Sequence, residues 1–275
     1  MTEPTHGVNV MLVGATGTGK TYSIRTLLDV GITPFCLFTE PGFESVLGDL
    51  PKDKIHWCYI PPANPSFEAM IDSARKINTL SLKSLSQLAD INKREYAQFV
   101  EVLAALHNFK CARTGEEFGD IGDWGPDRAI VVDSLSGLNI MAMSLVVGSK
   151  PVKSMADWGI AMSNLEALIQ KLCTDTRCHF ILTAHLERSQ DEITGGLTIT
   201  ASVLGKKLAP KIPRFFDDVI NCQREGTVFT WSTAALNVDL KARNLPISDK
   251  LEPSFVPLIN NWRAKAGGTE DENVA

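Results

Sequence analysis

Residues 14–21 read GATGTGKT, and they directly follow the apolar run VNVMLV. This octet matches the pattern GxxxxGK[ST], whose fixed positions are occupied by Gly14, Gly19, Lys20 and Thr21. Glycine permits left-handed backbone conformations, so successive N–H groups of such a loop can point inward at phosphate oxygens. The segment TYSIRTLLDVG that follows is typical of a helix ending at Gly31, whose amino end adds partial positive charge. The octet therefore predicts a strand, an anion-binding loop and a helix in direct succession.

The side chains of the octet predict that the anion is a nucleoside triphosphate. Lys20 is long enough to reach the β- and γ-phosphates, and the Thr21 hydroxyl is a suitable ligand for Mg²⁺. The alternative is a glycine-rich turn with an exposed lysine, which the flanking strand and helix disfavour. We expect ATP and Mg²⁺ as cofactors, with the nucleotide in contact with Gly14, Ala15, Thr16, Gly17, Thr18, Gly19, Lys20, Thr21 and Tyr22.

The rest of the chain alternates between short apolar runs and segments with helical spacing. Apolar runs bounded by turn residues predict strands at 8–13, 35–39, 55–60, 129–133 and 179–184. This alternation predicts an α/β fold, a mostly parallel sheet flanked by helices, as in P-loop NTPases. The segment DVINCQREGTVFTWST predicts two strands joined at Glu225–Gly226, and NVDLKAR completes a small C-terminal antiparallel extension.

Three segments carry apolar residues at helical spacing. The first comprises Phe67, Met70, Ile71, Ala74 and Ile77, with Pro65 at the first helical position. The second comprises Tyr96, Phe99, Val100, Leu103 and Leu106. The third comprises Trp158, Met162, Leu165, Ile169 and Leu172, and it begins at a predicted capping box of Ser154 and Asp157.

The length and composition predict one domain over residues 1–265, with an insert of helices and loops at 66–126, an extension at 205–265 and a disordered acidic tail at 266–275. The net charge of −5 argues against coating of the whole surface by nucleic acid. Six cysteines without metal-binding spacing indicate reduced, mostly buried thiols of a cytoplasmic protein. The absence of a basic residue in 1–7 argues against a secretory signal, and 134–149 is too short and polar to span a membrane.

Two carboxylates follow predicted strands and can complete the triphosphate site. Asp133 ends the strand in RAIVVDSLSG, where a carboxylate can hold Mg²⁺ through water. Ser134 occupies the next position, so the water-activating carboxylate must come from elsewhere. Glu40 ends the strand in PFCLFTEPG at the same sheet edge, where it can orient the attacking water or accept its proton. Turn or capping roles are the alternatives for both residues.

This arrangement resembles the RecA-like ATPases, which include recombinases, ring helicases and clock-protein relatives. The resemblance, which covers residues 8–243, implies that His185 in HFILTAHLE senses the γ-phosphate. It also implies that Lys241 and Arg243 in VDLKARNLP reach the nucleotide of a neighbouring subunit and stabilise transition-state charge. The alternatives are a core-edge histidine and a solvated basic face.

Within this group the chain is most similar to phage-encoded minimal recombinases, the single-strand annealing proteins. The resemblance implies a homo-oligomeric ring or filament and two loops that bind single-stranded DNA, near VVGSKPVKSMADW, which includes Trp158, and from ERSQDEITGGLTITAS. We expect the DNA-binding residues to be Lys150, Lys153, Lys206, Lys207, Lys211 and Arg214, the last four from the basic run GKKLAPKIPR. A solvated helix surface is the alternative for that run.

Several other functions remain open. A ring-type DNA helicase or its loader shares the same site, and a RecA-like regulatory ATPase would use it without nucleic acid. A small-molecule kinase is disfavoured because no arginine-rich lid is recognisable. A GTPase is disfavoured because INKRE at 91–95 lacks the final Asp of the guanine-reading motif. The acidic tail either only adds solubility or recruits a replication partner, such as a single-strand DNA-binding protein. No membrane partner is expected, and a phage origin would place the protein in the host cytoplasm.

Overall fold

A seven-stranded sheet runs through the centre of the protein. We describe a computed structural model that covers residues 6–88, 93–190, 197–205, 207–234 and 238–267. The strands are β1 Asn9–Val13, β2 Thr33–Phe38, β3 His56–Tyr59, β4 Arg128–Asp133, β5 His179–Ala184, β6 Leu186–Gln190, β7 Leu197–Ala201, β8 Asp218–Glu225 and β9 Val228–Ser232. The main sheet has the order β3-β2-β4-β5-β1-β8-β9, and β6 pairs with β7 in a separate hairpin.

All neighbours in the main sheet are parallel except the last pair. β1 lies between β5 and β8 and is parallel to both, whereas β9 is antiparallel to β8. The central strands are apolar and buried on both faces, which is why they read as nearly continuous hydrophobic runs. The predicted α/β P-loop NTPase fold is confirmed, together with all five strands predicted from apolar runs.

Helices cover both faces of the sheet. They are α1 Lys20–Ser23, α2 Phe43–Leu47, α3 Phe67–Thr79, α4 Leu82–Ser86, α5 Gln98–His107, α6 Leu135–Val147, α7 Met155–Thr174 and α8 Phe255–Gly267. Side chains of α5, α6 and α7 pack in one hydrophobic core, and those of α2 and α8 pack in the other. The helix predicted after the octet continues from α1 as a 3₁₀ helix over Ile24–Val30, and it ends at Gly31 with φ of 74° as expected.

The helix predicted from Phe67 to Ile77 forms as α3, but its apolar side faces solvent. Phe67 is 85% exposed, and none of the residues of α3 is buried. The prediction that Pro65 takes the first helical position is wrong, because Ser66 is the N-cap and its hydroxyl accepts a hydrogen bond from the amide of Ala69. α3 follows β3, which is one of the two edge strands of the main sheet. Its periodicity therefore predicted the helix correctly but not whether the sheet would cover it.

The other two predicted helices are covered by the core. α7 has the expected capping box, in which the Ser154 hydroxyl accepts from the Asp157 amide and the Asp157 carboxylate accepts from the Ser154 amide. α5 buries Phe99, Val102 and Leu106, so the predicted face is shifted toward Val102, while Val100 and Leu103 are exposed.

The remaining segments are the insert, the second predicted DNA loop and the C-terminal extension. Within the insert, Lys110 and Glu117 form an antiparallel bridge around a buried Cys111. The predicted second DNA loop is largely the β6–β7 hairpin, and its residues Asp191 and Glu192 lie outside the described residues. Of the tail predicted at 266–275, residues 266 and 267 form the end of α8, contrary to the prediction, and the rest lies outside the described residues. Lys241 bridges β8 in antiparallel fashion, as expected for the extension.

The pairing and burial of the cysteines, and the length and hydrophobicity of the helices, can be compared with what the composition predicted. All six cysteines lie within the described ranges and are free, and four of them are fully buried. Over the part of the chain that the structure describes, no helix is both long enough and apolar enough to cross a membrane.

Gly137 offers a test of how closely α6 packs on the sheet. A Cβ atom at Gly137 would lie 2.2 Å from the Thr39 hydroxyl oxygen, whereas a Cβ at Gly159 of α7 has nothing within 4 Å. We expect Gly137→Ala to lower the free energy of unfolding by about 1–3 kcal/mol. Gly159→Ala is the control, and it should raise stability by up to about 1 kcal/mol because glycine is unfavourable inside a helix. Urea denaturation measures both, and equal values for the two variants would contradict the close packing.

Candidate functional site

The glycines of the octet are required by close neighbours and by backbone conformation. A Cβ atom at Gly14 would lie 2.5 Å from the carbonyl oxygen of Cys222, on the adjacent strand β8. Gly17 and Gly19 have φ angles of 76° and 84°, which residues other than glycine rarely adopt. A Cβ at Gly19 would also come within 3.1 Å of the Phe229 ring. The loop therefore lies tightly between the end of β1 and the β8–β9 hairpin.

Lys20 lies beneath this loop and is almost completely buried. Its side-chain nitrogen donates hydrogen bonds to the carbonyl oxygens of Gly14 at 2.8 Å and Ala15 at 2.9 Å. Burial lowers the pKa of the Lys20 ammonium, and three nearby groups oppose this shift: Cys222, Asp133 and Glu40. Lys20 is thus held at the loop by two carbonyl groups, with carboxylates close enough to interact with its charge.

Asp133 lies at the end of β4, and two hydroxyl groups hold its carboxylate. Thr21 Oγ1 donates to Asp133 Oδ2 at 2.6 Å, and Thr183 Oγ1 on β5 donates to Asp133 Oδ1 at 2.5 Å. A hydroxyl and a carboxylate in contact are the type of oxygen ligands that Mg²⁺ uses beside phosphates. Thr21 and Asp133 therefore fit the expected magnesium site.

Glu40 follows β2 at the same edge, and it faces two neighbouring strand ends. Its Oε1 accepts a hydrogen bond from the Ser134 hydroxyl, and its Oε2 lies 3.4 Å from His185 Nε2. The backbone at Thr39 and Ser134 is joined by hydrogen bonds that involve the Thr39 hydroxyl. The sheet thus brings Glu40, Asp133 and His185 together beside the octet.

A cavity of about 830 Å³ contains most of these groups. Its volume is within the range of roughly 300–1,000 Å³ found for small-molecule sites. The predicted residues that line it are Thr16, Gly17, Thr18, Gly19, Lys20, Thr21, Tyr22, Glu40, Asp133 and His185. Phe229, Glu252 and Pro253 from the carboxyl-terminal part of the chain also line it. The cavity therefore joins the loop and both carboxylates in one space, large enough for a nucleotide.

Lys241 and Arg243 are not brought to this cavity. Lys241 donates from its side-chain nitrogen to the Phe216 carbonyl at 2.5 Å, and Arg243 pairs with Asp217 at 2.8 Å. Asp217 precedes β8, so this pair lies toward the amino end of the strand, whereas the octet follows the carboxyl end of β1. Their role toward a neighbouring subunit stays a prediction.

The predicted DNA-binding lysines lie near α7. Lys153 is 5.6 Å from the centre of the Trp158 ring, and Lys211 contacts both carboxylate oxygens of Glu166 at 2.9 Å. Lys150 is 3.4 Å from Asp157, so two of these lysines are paired with carboxylates. Lys207 and Arg214 are exposed, and Lys206 lies outside the described residues. Residues of both predicted basic segments therefore contact the same helix, α7.

Several residues of the site were missed by sequence reasoning. Thr183 and Ser134 contact Asp133 and Glu40 directly, and Phe229 packs on the octet. Thr183 had a usable signal, because it precedes His185 by two positions and residues two apart lie on the same side of a strand. Phe229 had none, because its approach to Gly19 depends on how the β8–β9 hairpin folds over the loop.

A protein family and a solved structure show similarity to this chain. A family model described as an AAA domain matches residues 6–243. No curated protein matches the sequence. Among solved structures, the chain is similar to a prototypical ATPase from the type III secretion system of pathogenic bacteria, at 14% identity and a TM-score of 0.40. The similarity covers 80% of this chain and 53% of that ATPase, so the chain spans about half of its length.

The hydrogen bond from Thr183 can be tested by a variant of similar shape. Thr183→Val removes the donor to Asp133 and leaves a buried carboxylate oxygen without that partner, so we expect the free energy of unfolding to fall by about 1–3 kcal/mol. Thr174→Val on the exposed end of α7 is the control, with an expected change within about 0.5 kcal/mol. Urea denaturation would refute the role of Thr183 if both variants were equally stable.

Proposed function

The chain belongs to the AAA domain family of P-loop ATPases, and from that premise we propose that it hydrolyses ATP to promote annealing or pairing of single-stranded DNA. The observation that carries the ATPase part is one cavity, lined by the octet together with Asp133 and Glu40. A buried lysine at the loop and two carboxylates at neighbouring strand ends are the groups that phosphoryl transfer to water requires.

Each residue has a distinct role in the proposed reaction. The backbone amides of the octet bind the phosphates, and Lys20 contacts the β- and γ-phosphates. Thr21 and Asp133 would hold Mg²⁺, which when bound neutralises part of the phosphate charge. Glu40 accepts a proton from the attacking water, or orients that water, at the γ-phosphate.

His185 is proposed to report the state of the γ-phosphate. The support is its position, since Nε2 lies 3.4 Å from the Glu40 carboxylate and the residue lines the same cavity. His185 directly precedes β6, so a shift of its ring would be passed to the β6–β7 hairpin. That hairpin corresponds to the second predicted DNA loop, which would couple nucleotide and DNA binding.

The proposed DNA-binding surface lies along α7. Gly205 contacts this helix, because a Cβ there would lie 3.0 Å from the Met162 sulfur and 4.0 Å from the Trp158 ring. The basic run therefore packs beside the helix that Lys153 precedes. Cations on one surface suit the phosphates of a single strand, and the half-buried Trp158 and the exposed Arg214 could contact its bases. A local surface of this kind is compatible with the net charge of −5.

A homo-oligomer, as a ring or filament, is part of the proposal. Arg243 is 63% exposed and lies away from the cavity of its own chain, which leaves it accessible to a neighbouring subunit. In such an assembly Lys241 and Arg243 would approach the nucleotide of the next copy and stabilise transition-state charge. A single-strand DNA-binding protein is a further proposed partner.

The first test is the rate of ATP hydrolysis with and without single-stranded DNA. We expect DNA to stimulate the parent protein, and Lys20→Ala to lower the rate at least about 100-fold, because it removes a charge that stabilises the transferring phosphoryl group. Lys52→Ala, an exposed lysine outside the cavity, is the matched control and should hydrolyse ATP like the parent.

The other outcomes of this assay distinguish the alternative functions. A rate of ATP hydrolysis that is the same with and without DNA would favour a RecA-like regulatory ATPase over the DNA-annealing proposal. Stimulated turnover with separation of a labelled duplex would favour a ring-type helicase or loader. Transfer of phosphate to a metabolite would indicate a kinase. The absence of any ATP binding would overturn the proposal as a whole.

A second test addresses the surface along α7. The double variant Lys153→Ala/Lys207→Ala should weaken binding to single-stranded DNA, and it should reduce the slope of log affinity against log salt by about 1.4, or roughly 0.7 for each lost phosphate contact. Lys52→Ala/Lys54→Ala changes the net charge equally and should leave the slope unchanged. Fluorescence anisotropy at several salt concentrations measures both slopes. Identical slopes for the two double variants would reject this surface.

A further inference from the structure

We propose that Ser134 is a positioning residue, which holds the Glu40 carboxylate in the orientation needed to activate water. This inference rests on the role of Glu40 under the proposed function. The contact that carries it is the hydrogen bond from the Ser134 hydroxyl to Glu40 Oε1. Ser134 occupies the position directly after Asp133, so the same strand end supplies a magnesium ligand and the support for the base.

The fold determines the direction in which the Ser134 hydroxyl donates. Ser134 is the N-cap of α6, and its Oγ accepts a hydrogen bond from the Ser136 amide at 3.2 Å. Because that amide occupies a lone pair of the oxygen, the hydroxyl proton is left to point at Glu40. Ser134 is only 1% exposed, so solvent does not compete for this proton. The first turn of α6 therefore orients the donor.

The backbone on both sides of this contact is equally restrained. The Thr39 amide donates to the Asp133 carbonyl at 2.7 Å, and the Ser134 amide donates to the Thr39 hydroxyl at 2.9 Å. The Thr39 hydroxyl in turn donates to the Ser134 carbonyl at 3.1 Å. Thr39 directly precedes Glu40, so these bonds fix the distance between Glu40 and Ser134. Gly137 allows α6 to lie against Thr39.

The side chain of Glu40 needs this support, because its own surroundings are open. It is 41% exposed and lines the cavity, where its other oxygen has His185 Nε2 at 3.4 Å. The ionisable groups described near it or in the same cavity include Lys20, Asp133, His185 and Glu252. Without the Ser134 hydroxyl, the carboxylate would be free to rotate toward the Lys20 ammonium or toward solvent.

The expected effect of removing the hydroxyl is on turnover alone. We expect Ser134→Ala and Ser134→Gly to lower kcat about 10- to 100-fold, because misplacement of a reacting group by about 1 Å is sufficient for such a loss. The affinity for ATP, measured with a fluorescent analogue, should stay within about twofold, since Ser134 does not line the cavity. Ser134→Thr keeps a hydroxyl and should recover most of the rate.

Two controls separate this role from the capping role of Ser134. Glycine is accepted at N-caps nearly as well as serine, so Ser134→Gly removes the donor with little effect on the helix. Ser66→Ala deletes an N-cap of α3 whose hydrogen bond has the same 3.2 Å length, and because Ser66 does not line the cavity it should leave kcat unchanged. A loss of turnover in Ser66→Ala equal to that in Ser134→Ala would overturn the inference.

A double-mutant cycle with Glu40→Gln provides the decisive comparison. If Ser134 acts through Glu40, adding Ser134→Ala to Glu40→Gln should lower the rate no further. Independent, multiplicative losses would overturn the inference, as would parental turnover in Ser134→Gly or a parallel loss of ATP binding. Parental turnover in Glu40→Gln would instead overturn the role of Glu40 in the proposed function, so the two failures are distinguishable.

Discussion

The buried carboxylate of Asp133 is the group on which the candidate site depends. An unpaired charge at 9% exposure would cost several kcal/mol, and hydrogen bonds from Thr21 and Thr183 offset that cost. These two residues belong to the octet helix and to β5, respectively. The Asp133 carboxylate therefore links the octet to β4 and β5. The positions of the octet and of these two strands depend on one another.

Strand order explains why the reacting groups meet. β5 lies between β1 and β4, and β2 lies beyond β4, so the ends of four parallel strands form one edge. That edge carries the octet, His185, Asp133 and Glu40, in the order of their strands. In the register of β2 and β4, Phe38 lies beside Asp133, which brings Thr39 and Glu40 to the side of Ser134. A shift by one residue would separate the carboxylate from its hydroxyl donor, since side chains alternate between faces.

Helical periodicity had opposite consequences at two places in the chain. In α7 the apolar residues pack under the sheet, whereas in α3 a similar pattern leaves Phe67 and its neighbours exposed. The order of the elements does not explain this difference, because α5 lies between the same two strands as α3 and buries Phe99, Val102 and Leu106. The order of residues does not place the basic side chains either, since Lys153 and Lys211 are distant in sequence but both contact α7.

The local pattern alone determined the parts of this protein that depend on neighbouring residues. The octet, its glycines, the five apolar strands, the capping box at Ser154 and the strand-end carboxylates are all readable in that way. The partners of those groups were decided by tertiary structure. Thr183 is 50 positions from Asp133, Ser134 is 94 from Glu40, and Phe229 meets Gly19 only because a hairpin folds back over the loop. Hydrogen bonds and packing of this kind depend on strand order and register, which are set by the burial of the whole sheet and not by any single segment.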